Sequence, residues 1–134
     1  MCHIPAQGFT ANEARLAVGI NGKTGKRNAP ALYNVAYQRL LFHDGREFTL
    51  EDQIISPITN PVEMGNPSIG YVVNKIKQLP GYTQTFQVAF SEDPSVATLG
   101  KALASYQRTL LSGNAPFDRW YFGGEEHAVS DKAK

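Results

Sequence analysis

The feature that most constrains the fold is a run of apolar residues at helical spacing near the C-terminal end. Within residues 94–113 the apolar positions are separated by steps of three and four: Val96, Leu99, Leu103, Tyr106 and Leu110. This spacing places them on one face of a helix, which other parts of the chain must cover. We expect Asp93 and Pro94 to open this helix and Gly113 to close it.

A second helix with the same rhythm is predicted between Ser68, whose side chain suits an N-terminal cap, and the breaking pair Pro80 and Gly81. A shorter helix is expected over residues 86–90. No segment has the alternation of apolar and polar residues that a half-buried strand needs. The sequence therefore predicts an all-α fold.

The first half of the chain has weaker helical signals between loops. Pro30 suits the first position of a helix, and Thr49 can cap another helix that Pro57 limits. Residues 7–30 are rich in Gly, Asn and Lys, and residues 59–67 contain two Pro and one Gly. Both segments therefore predict loops.

The length of 134 residues predicts one domain, residues 1–134, with a single core. Thirteen basic and twelve acidic residues give a formal net charge of +1, which does not favour nucleic acid or a membrane surface as partner. No apolar run approaches the length of a membrane span, and residues 1–20 lack the pattern of a signal peptide. The single Cys excludes a disulfide within the chain.

Residues 17–24, AVGINGKT, match the loose pattern of a phosphate-binding loop. Such a loop must follow a buried strand and open a helix, and neither neighbouring segment has the required pattern. A Gly-rich loop is the better interpretation.

The adjacent residues Cys2 and His3 suggest a different cofactor. Covalent haem attachment uses the motif Cys-x-x-Cys-His, in which the His binds iron, and these two residues would be its last two positions. Taken alone, the dipeptide is almost no evidence for haem, and its default interpretation is an exposed thiol beside a surface His.

The rest of the chain supports the haem interpretation. Five blocks stand in the order and spacing of one family: CHIPAQGFT, RNAPALYNVAY, LFHDGRE, TLEDQIISPITNPVEMG and PGYTQTF. The sequence resembles the N-terminal, peroxidatic-haem domain of the bacterial di-haem cytochrome c peroxidase and MauG family over nearly its whole length. The resemblance implies a cytochrome c-like helical domain with long loops and a periplasmic location.

The resemblance also implies that both ends are cut. It places the first haem Cys before residue 1 and a second haem domain after residue 134. Ser130 and Asp131 resemble the start of another helix, although a frayed polar tail explains them equally well.

The resemblance makes Cys2 a thioether attachment for haem c and His3 the iron ligand, with Gln53, Pro57 and Glu63 in the distal pocket. Reduction of hydrogen peroxide needs a group that moves a proton from one oxygen to the other, which Glu63 can do. Gln53 can hold the oxidant by hydrogen bonds, and Pro57 would shape the wall. Without the resemblance, a surface carboxylate and a solvated amide would be the ordinary interpretation.

Asn28 matches a residue that helps bind calcium between the two haem domains of the family. Its other partners would lie in the second domain, so we expect an empty or weak calcium site here. The alternative is an Asn that bonds to its own loop backbone.

This sequence departs from the family in two places. His43 stands where the family usually has a Trp relay between the haems, so it is either a hydrogen-bonding or proton-coupled bridge or a partly buried His bonded near Asp44 and Arg46. The loop before Asn28 lacks the distal His of many family members, with Ile20 and Asn21 nearest. A switch that removes such a ligand on reduction is therefore in doubt.

Aromatic residues cluster at Phe117, Trp120, Tyr121 and Phe122, where we expect interface or core packing, and His127 is expected at the surface.

The resemblance implies reduction of hydrogen peroxide to water, with electrons from a second c-type haem and a small donor protein, either a cytochrome or a cupredoxin. The isolated chain is expected to lack this activity. One alternative is a haem-free helical domain that binds a partner or dimerises through its aromatic surface. Another is MauG-like oxidation of a protein side chain.

Overall fold

The computed structural model describes residues 2–11 and 14–134. The first 49 residues contain only short 3-10 turns among the described residues, at Pro5–Gln7, Ile20–Gly22 and Val35–Tyr37. The helices that follow are α1 (Leu50–Gln53), α2 (Ile55–Thr59), α3 (Ile69–Gln78), α4 (Tyr82–Phe90), α5 (Val96–Thr109) and α6 (Pro116–Tyr121), with a last 3-10 turn at Asp131–Ala133. The predicted all-α class is confirmed, and no described helix is long and apolar enough to cross a bilayer.

Three loops of the N-terminal part share one construction. Each is closed by an isolated antiparallel bridge between residues six positions apart: Ile4 with Thr10, Val18 with Thr24 and Leu41 with Glu47. Each has a glycine with positive φ two residues before its second bridge partner: Gly8 (69°), Gly22 (72°) and Gly45 (67°). Glycine reverses the chain there because it adopts this left-handed backbone without steric cost.

Hydroxyl caps start three of the helices. The side chains of Thr49, Ser68 and Ser95 accept hydrogen bonds from the backbone N–H groups three residues further on. The predicted caps at Thr49 and Ser68 are thereby confirmed. Helix α5 begins after Ser95 rather than at Asp93, because Ser95 and Thr98 cap each other's backbone N–H.

The predicted helix at Pro30 is wrong. Only the 3-10 turn Val35–Tyr37 forms, because Asn34 has a left-handed backbone (φ 59°) and its side chain is bound elsewhere. Its amide donates to the carbonyl of Ser112 at 2.8 Å and accepts from the N–H of Ser112 at 2.9 Å. A contact between distant parts of the chain therefore overrides the local helical pattern.

Two predicted helix ends are also corrected. The helix that begins after Thr49 does not end at Pro57; it breaks at Ile54, and Pro57 is the third residue of α2. A proline is tolerated in a first turn because its missing N–H would have no partner within that helix. Helix α5 ends with a cap at Leu110, three residues before Gly113.

The core lies among α1, α2, α3, α5 and the third 3-10 turn. Its buried apolar side chains are Val35, Leu41, Leu50, Ile54, Ile58, Val73, Leu99 and Ala104. Helix α5 packs closely on α1 at Gly100, where an added Cβ would lie 3.1 Å from the carbonyl oxygen of Glu51. Arg108 also pairs with both carboxylate oxygens of Glu51, at 2.7 and 3.0 Å. Helix α5 therefore supports α1, which carries Gln53.

Candidate functional site

The ring of His3 is fixed by the loop that follows it. Gly8 and Phe9 have positive φ and turn the chain back, so that His3 Nδ1 lies 2.7 Å from the carbonyl oxygen of Phe9. A carbonyl only accepts, so Nδ1 carries the proton, and in the neutral ring Nε2 keeps its lone pair. Within residues 2–11 and 14–134, no group hydrogen bonds to Nε2. This is the orientation of a metal-ligating imidazole.

Cys2 lies beside the Gly-rich loop, residues 17–24. Its thiol is free and half-buried, and Sγ donates to the carbonyl of Val18 at 3.5 Å. Cys2 directly precedes His3, the order that the covalent haem motif requires.

The Gly-rich loop also contacts the Glu63 turn, which we define as residues 60–65. The N–H of Ile20 donates to the carbonyl of Glu63 at 2.8 Å, and Lys23 Nζ donates to the carbonyl of Pro61 at 3.0 Å. At Gly19 an added Cβ would lie 2.0 Å from the carbonyl oxygen of Val62, so only glycine permits this approach. One loop thus touches both Cys2 and the backbone of Glu63.

These contacts also decide the phosphate-loop question. The Gly-rich loop neither follows a strand nor opens an α-helix among the described residues, and its Lys23 ammonium group is bound to a carbonyl. The preference for an ordinary Gly-rich loop is confirmed.

The carboxylate of Glu63 is half-buried and bound by a residue that the sequence reasoning missed. Asn60 Nδ2 donates to Glu63 Oε1 at 3.0 Å. Asn60 Oδ1 accepts from the N–H of Val62 at 2.9 Å, which forms a turn within the chain. The sequence signal that could have identified Asn60 is its position directly before Pro61, because an Asn before a Pro commonly starts such a turn.

Gln53 and Pro57 precede this turn. Gln53 is the last residue of α1, Pro57 lies in α2, and both are half-buried. The carbonyl of Pro57 accepts from the N–H of Met64 at 3.2 Å, which joins α2 to the Glu63 turn. No hydrogen bond links the Gln53 side chain to Glu63 in the part of the chain that the structure describes. Pro57 therefore contacts the turn directly, whereas Gln53 lies one turn earlier.

His43 and Asn28 form a separate contact. His43 is exposed, and its Nε2 donates to the backbone carbonyl of Asn28 at 3.2 Å. The Asn28 side chain accepts from the N–H of Ala29 and donates to the carbonyl of Ala11, both at 2.9 Å. Asn28 thus makes the predicted bond to its own loop backbone. Among the described residues, no three His, Cys, Asp or Glu side chains are grouped to hold a metal ion.

Asp44 is bound away from His43. It pairs with Arg27 and Arg46, both at 2.7 Å, and the hydrogen bonds from these two guanidinium groups lower the pKa of Asp44 to about 2. Arg46 also lies over the ring of Phe42, 3.5 Å from its centroid. The alternative of a partly buried His43 bonded near Asp44 and Arg46 is therefore wrong.

The aromatic residues near the C-terminal end contact one another. Phe117 stacks on Tyr121 at 5.5 Å, and Trp120 lies edge-on to both, at 5.7 and 6.0 Å. Phe122 is 77% exposed and Tyr121 is 64% exposed. His127 is exposed, as predicted. The cluster forms an aromatic surface rather than part of the core.

The sequence pattern of the di-haem cytochrome c peroxidases matches residues 1–127. The chain belongs to this family. It is 44% identical to the methylamine utilization protein MauG of Methylorubrum extorquens, over 99% of this chain and 37% of that protein. It is 31% identical to the cytochrome c peroxidase Ccp of Escherichia coli K12, over 90% of this chain and 26% of that protein. The chain thus spans less than half the length of these relatives.

Solved structures agree on the fold. A MauG-like protein associated with microbial copper homeostasis superposes with a TM-score of 0.81 at 27% identity, over 97% of this chain and 39% of that one. The diheme peroxidase BthA of Burkholderia thailandensis superposes with a TM-score of 0.76 at 28% identity, over 89% of this chain and 35% of that one. The family resemblance and the cytochrome c-like helical architecture are confirmed. Haem c is the cofactor that membership implies, and the free Nε2 of His3, directly after Cys2 in the sequence, fits it.

Proposed function

We propose that this chain forms the haem pocket of a peroxidase that reduces hydrogen peroxide to water. The observation that carries the proposal is the hydrogen bond from His3 Nδ1 to the carbonyl of Phe9, which leaves Nε2 available to iron. Cys2 would hold the porphyrin through one thioether, and His3 would bind its iron. When bound, the haem supplies the iron centre and the route by which electrons reach the oxidant.

The reaction consumes two electrons and two protons and turns one peroxide molecule into two water molecules. Breaking the O–O bond requires a proton to move from one oxygen to the oxygen that leaves as water. In this proposal the Glu63 carboxylate accepts that proton and returns it. The Gln53 amide orients the oxidant without titrating, and Pro57 forms part of the wall.

The proposal includes the partners that the family resemblance implies. Electrons come from a second c-type haem. That haem in turn receives them from a small donor protein of the periplasm, either a cytochrome or a cupredoxin. Imidazole is harder to oxidise than indole, so His43 would not carry a radical as a Trp would. It would instead act as a hydrogen-bonding bridge in the electron path, through its bond to the Asn28 carbonyl. Calcium binding at Asn28 would have to use the oxygen that now accepts from Ala29.

Two observations favour second candidates. The 44% identity to a MauG protein favours oxidation of a protein side chain by the same pocket. The exposed aromatic surface on α6 favours association with a partner or with a second copy of the chain. This second function would not require haem.

Haem attachment provides the first test. We expect the chain produced with haem maturation to keep its Soret band through acid-acetone extraction, and His3→Gly to change the band until imidazole is added. His127→Gly, which changes an exposed histidine, is the control. A Soret band in His3→Gly that is identical to the unsubstituted protein would contradict the assignment of His3.

Peroxide turnover provides the second test, measured on the haem-loaded chain joined to a second c-type haem domain and supplied with an electron donor, because the isolated chain is expected to lack this activity. We expect Glu63→Gln to slow turnover by about 100-fold or more, the usual contribution of a positioned proton carrier. The exposed Glu92→Gln is the matched control. Equal rates for both variants would exclude Glu63 as the proton carrier.

A further inference from the structure

We propose that Asn60 is a positioning residue that decides which oxygen of Glu63 exchanges the proton. The inference rests on the proposed function, because it concerns how Glu63 performs its role. Asn60 Nδ2 lies 3.0 Å from Glu63 Oε1, and both residues are half-buried. An amide nitrogen only donates, so Oε1 is held as an acceptor. The proton is therefore taken up at Oε2, which has no hydrogen-bond partner in the described part of the chain.

The orientation of the Asn60 amide follows from its other partner. Oδ1 lies 2.9 Å from the backbone N–H of Val62, which only donates, so this end of the amide must be the oxygen. The nitrogen then necessarily faces Glu63. A flipped amide would lose both bonds.

The backbone of Asn60 is held as firmly as its side chain. Its N–H donates to the carbonyl of Ser56 at 3.0 Å, and its carbonyl accepts from the N–H groups of Gly65 at 2.9 Å and Glu63 at 3.1 Å. The Gly-rich loop binds the Glu63 carbonyl from the other side through Ile20. Both ends of the Asn60–Glu63 bond therefore start from fixed backbone.

A carboxylate on a free Glu side chain rotates and presents either oxygen. The bond to Asn60 removes that freedom before substrate arrives, so that the same oxygen faces the oxidant in every turnover. Such preorganisation lowers the barrier of the chemical step and leaves the affinity for substrate nearly unchanged.

The pair can be reversed chemically, which gives a test that does not need haem. Asn60→Asp keeps an oxygen for the N–H of Val62 but places a second carboxylate oxygen against Glu63 Oε1. In Asn60→Asp/Glu63→Gln, the new amide of residue 63 can donate to the new carboxylate, so the bond forms in the opposite direction. Glu63→Gln alone keeps an acceptor for Asn60.

We expect Asn60→Asp to lower the folding equilibrium constant in urea denaturation by roughly fivefold or more, the effect of one lost hydrogen bond between half-buried groups. The double variant should return to within about threefold of the unsubstituted chain, since both polar groups are paired again. Additive effects, with the double variant as unstable as Asn60→Asp, would overturn the proposal.

A second measurement covers the case in which both variants with Asp at position 60 fail to fold. We expect the side-chain amide signals of Asn60 in NMR spectra to move and their hydrogen exchange to speed up in Glu63→Ala, which removes only the acceptor. Unchanged Asn60 signals would overturn the proposal.

Activity separates this inference from the proposed function. In the haem-loaded chain joined to a second c-type haem domain, Asn60→Asp should lower kcat for peroxide by about tenfold or more and leave KM within about threefold, as expected for a group that acts through another. A higher KM with unchanged kcat would contradict a positioning role. If Glu63→Gln turns over peroxide at the unsubstituted rate, the proposed function fails, whatever the folding measurements show for Asn60.

Discussion

At the scale of single residues, the candidate site is held by backbone and amide groups rather than by charges. The rings of His3 and His43 bond to backbone carbonyls, and the Glu63 carboxylate bonds to an amide. None of the ion pairs found among the described residues includes these three side chains. The sequence identified His3 as a candidate iron ligand. Which of its ring nitrogens carries the proton is decided only by the position of the Phe9 carbonyl in the structure.

Asp44 gives a prediction on acid stability. Hydrogen bonds from Arg27 and Arg46 lower its pKa from the ordinary 3.8 to about 2. Because the folded pKa lies below the unfolded one, its contribution to stability is present above pH 3.8 and is lost as the pH falls to about 2. We expect Asp44→Asn to have a lower Tm than the unsubstituted chain at pH 7. The two Tm values should become equal as the pH falls to about 2.

Thermal denaturation at several pH values, at low and high salt, measures this difference. The control is Asp131→Asn, which changes an almost fully exposed carboxylate near the C-terminal end. Salt should reduce the Asp44 effect because the pair is solvent-exposed. A difference in Tm that stays constant from neutral to acid pH would rule out this linkage.

At the scale of elements, loops carry as much of the candidate site as helices do. The Gly-rich loop contacts Cys2 and the Glu63 turn, and its position depends on the absence of a side chain at Gly19. Sequence reasoning recognised the loop by its composition. It did not predict this packing, because the carbonyl that excludes a Cβ belongs to residue 62, more than forty positions away.

Gly19→Ala tests that packing. The added Cβ would lie 2.0 Å from the Val62 carbonyl, so backbone must move, and we expect a loss of about 1–3 kcal/mol in the free energy of unfolding. Gly113→Ala is the control, since an added Cβ there meets nothing within 4 Å. Urea denaturation compares the two variants, and equal stabilities would show that the loop does not pack on the Glu63 turn.

Helix α5 depends on its cap. Ser95 accepts from the N–H of Thr98, whose hydroxyl accepts from the N–H of Ser95. We expect Ser95→Ala to cost about 1 kcal/mol of unfolding free energy. Ser105→Ala, in the exposed middle of the same helix, should be neutral or slightly stabilising because Ala is the better helix former. Chemical denaturation of both variants checks the difference, and a neutral Ser95→Ala would contradict the role of the cap.

At the scale of the whole molecule, stability depends on a small core between α1, α2, α3 and α5. Leu99 lies in this core and is 7% exposed, whereas Leu103, one turn later on α5, is 38% exposed. We expect Leu99→Ala to cost about 2–5 kcal/mol, a large share of the stability of a domain of this size. Leu103→Ala should cost clearly less. Denaturation midpoints compare the variants, and equal costs would mean that the core is not where the structure places it.

The sequence predicted the parts of the fold that depend on near neighbours. The caps at Thr49 and Ser68 and the helical period of α5 act within a few residues, so they were predicted correctly. The covered face of α5 was not: Val96, Leu103 and Tyr106 are 42%, 38% and 55% exposed, and the buried positions of the helix are Thr98, Leu99, Gly100, Ala104 and Gln107. The helix expected after Pro30 failed because Asn34 is bound by Ser112, almost eighty positions away. The prediction that the helix ends at Pro57 was wrong, because the helix is already interrupted at Ile54 and Pro57 lies within the next helix, α2.

The sequence by itself determined the helical class, the capped starts of α1 and α3 and the family, because these depend on residue type and spacing along the chain. The tertiary structure decided which nitrogen of His3 is free, which oxygen of Glu63 is bound and how closely the Gly-rich loop approaches the Glu63 turn. Each of these depends on a partner group brought into place by chain reversal or by packing, and spacing alone does not specify such a position.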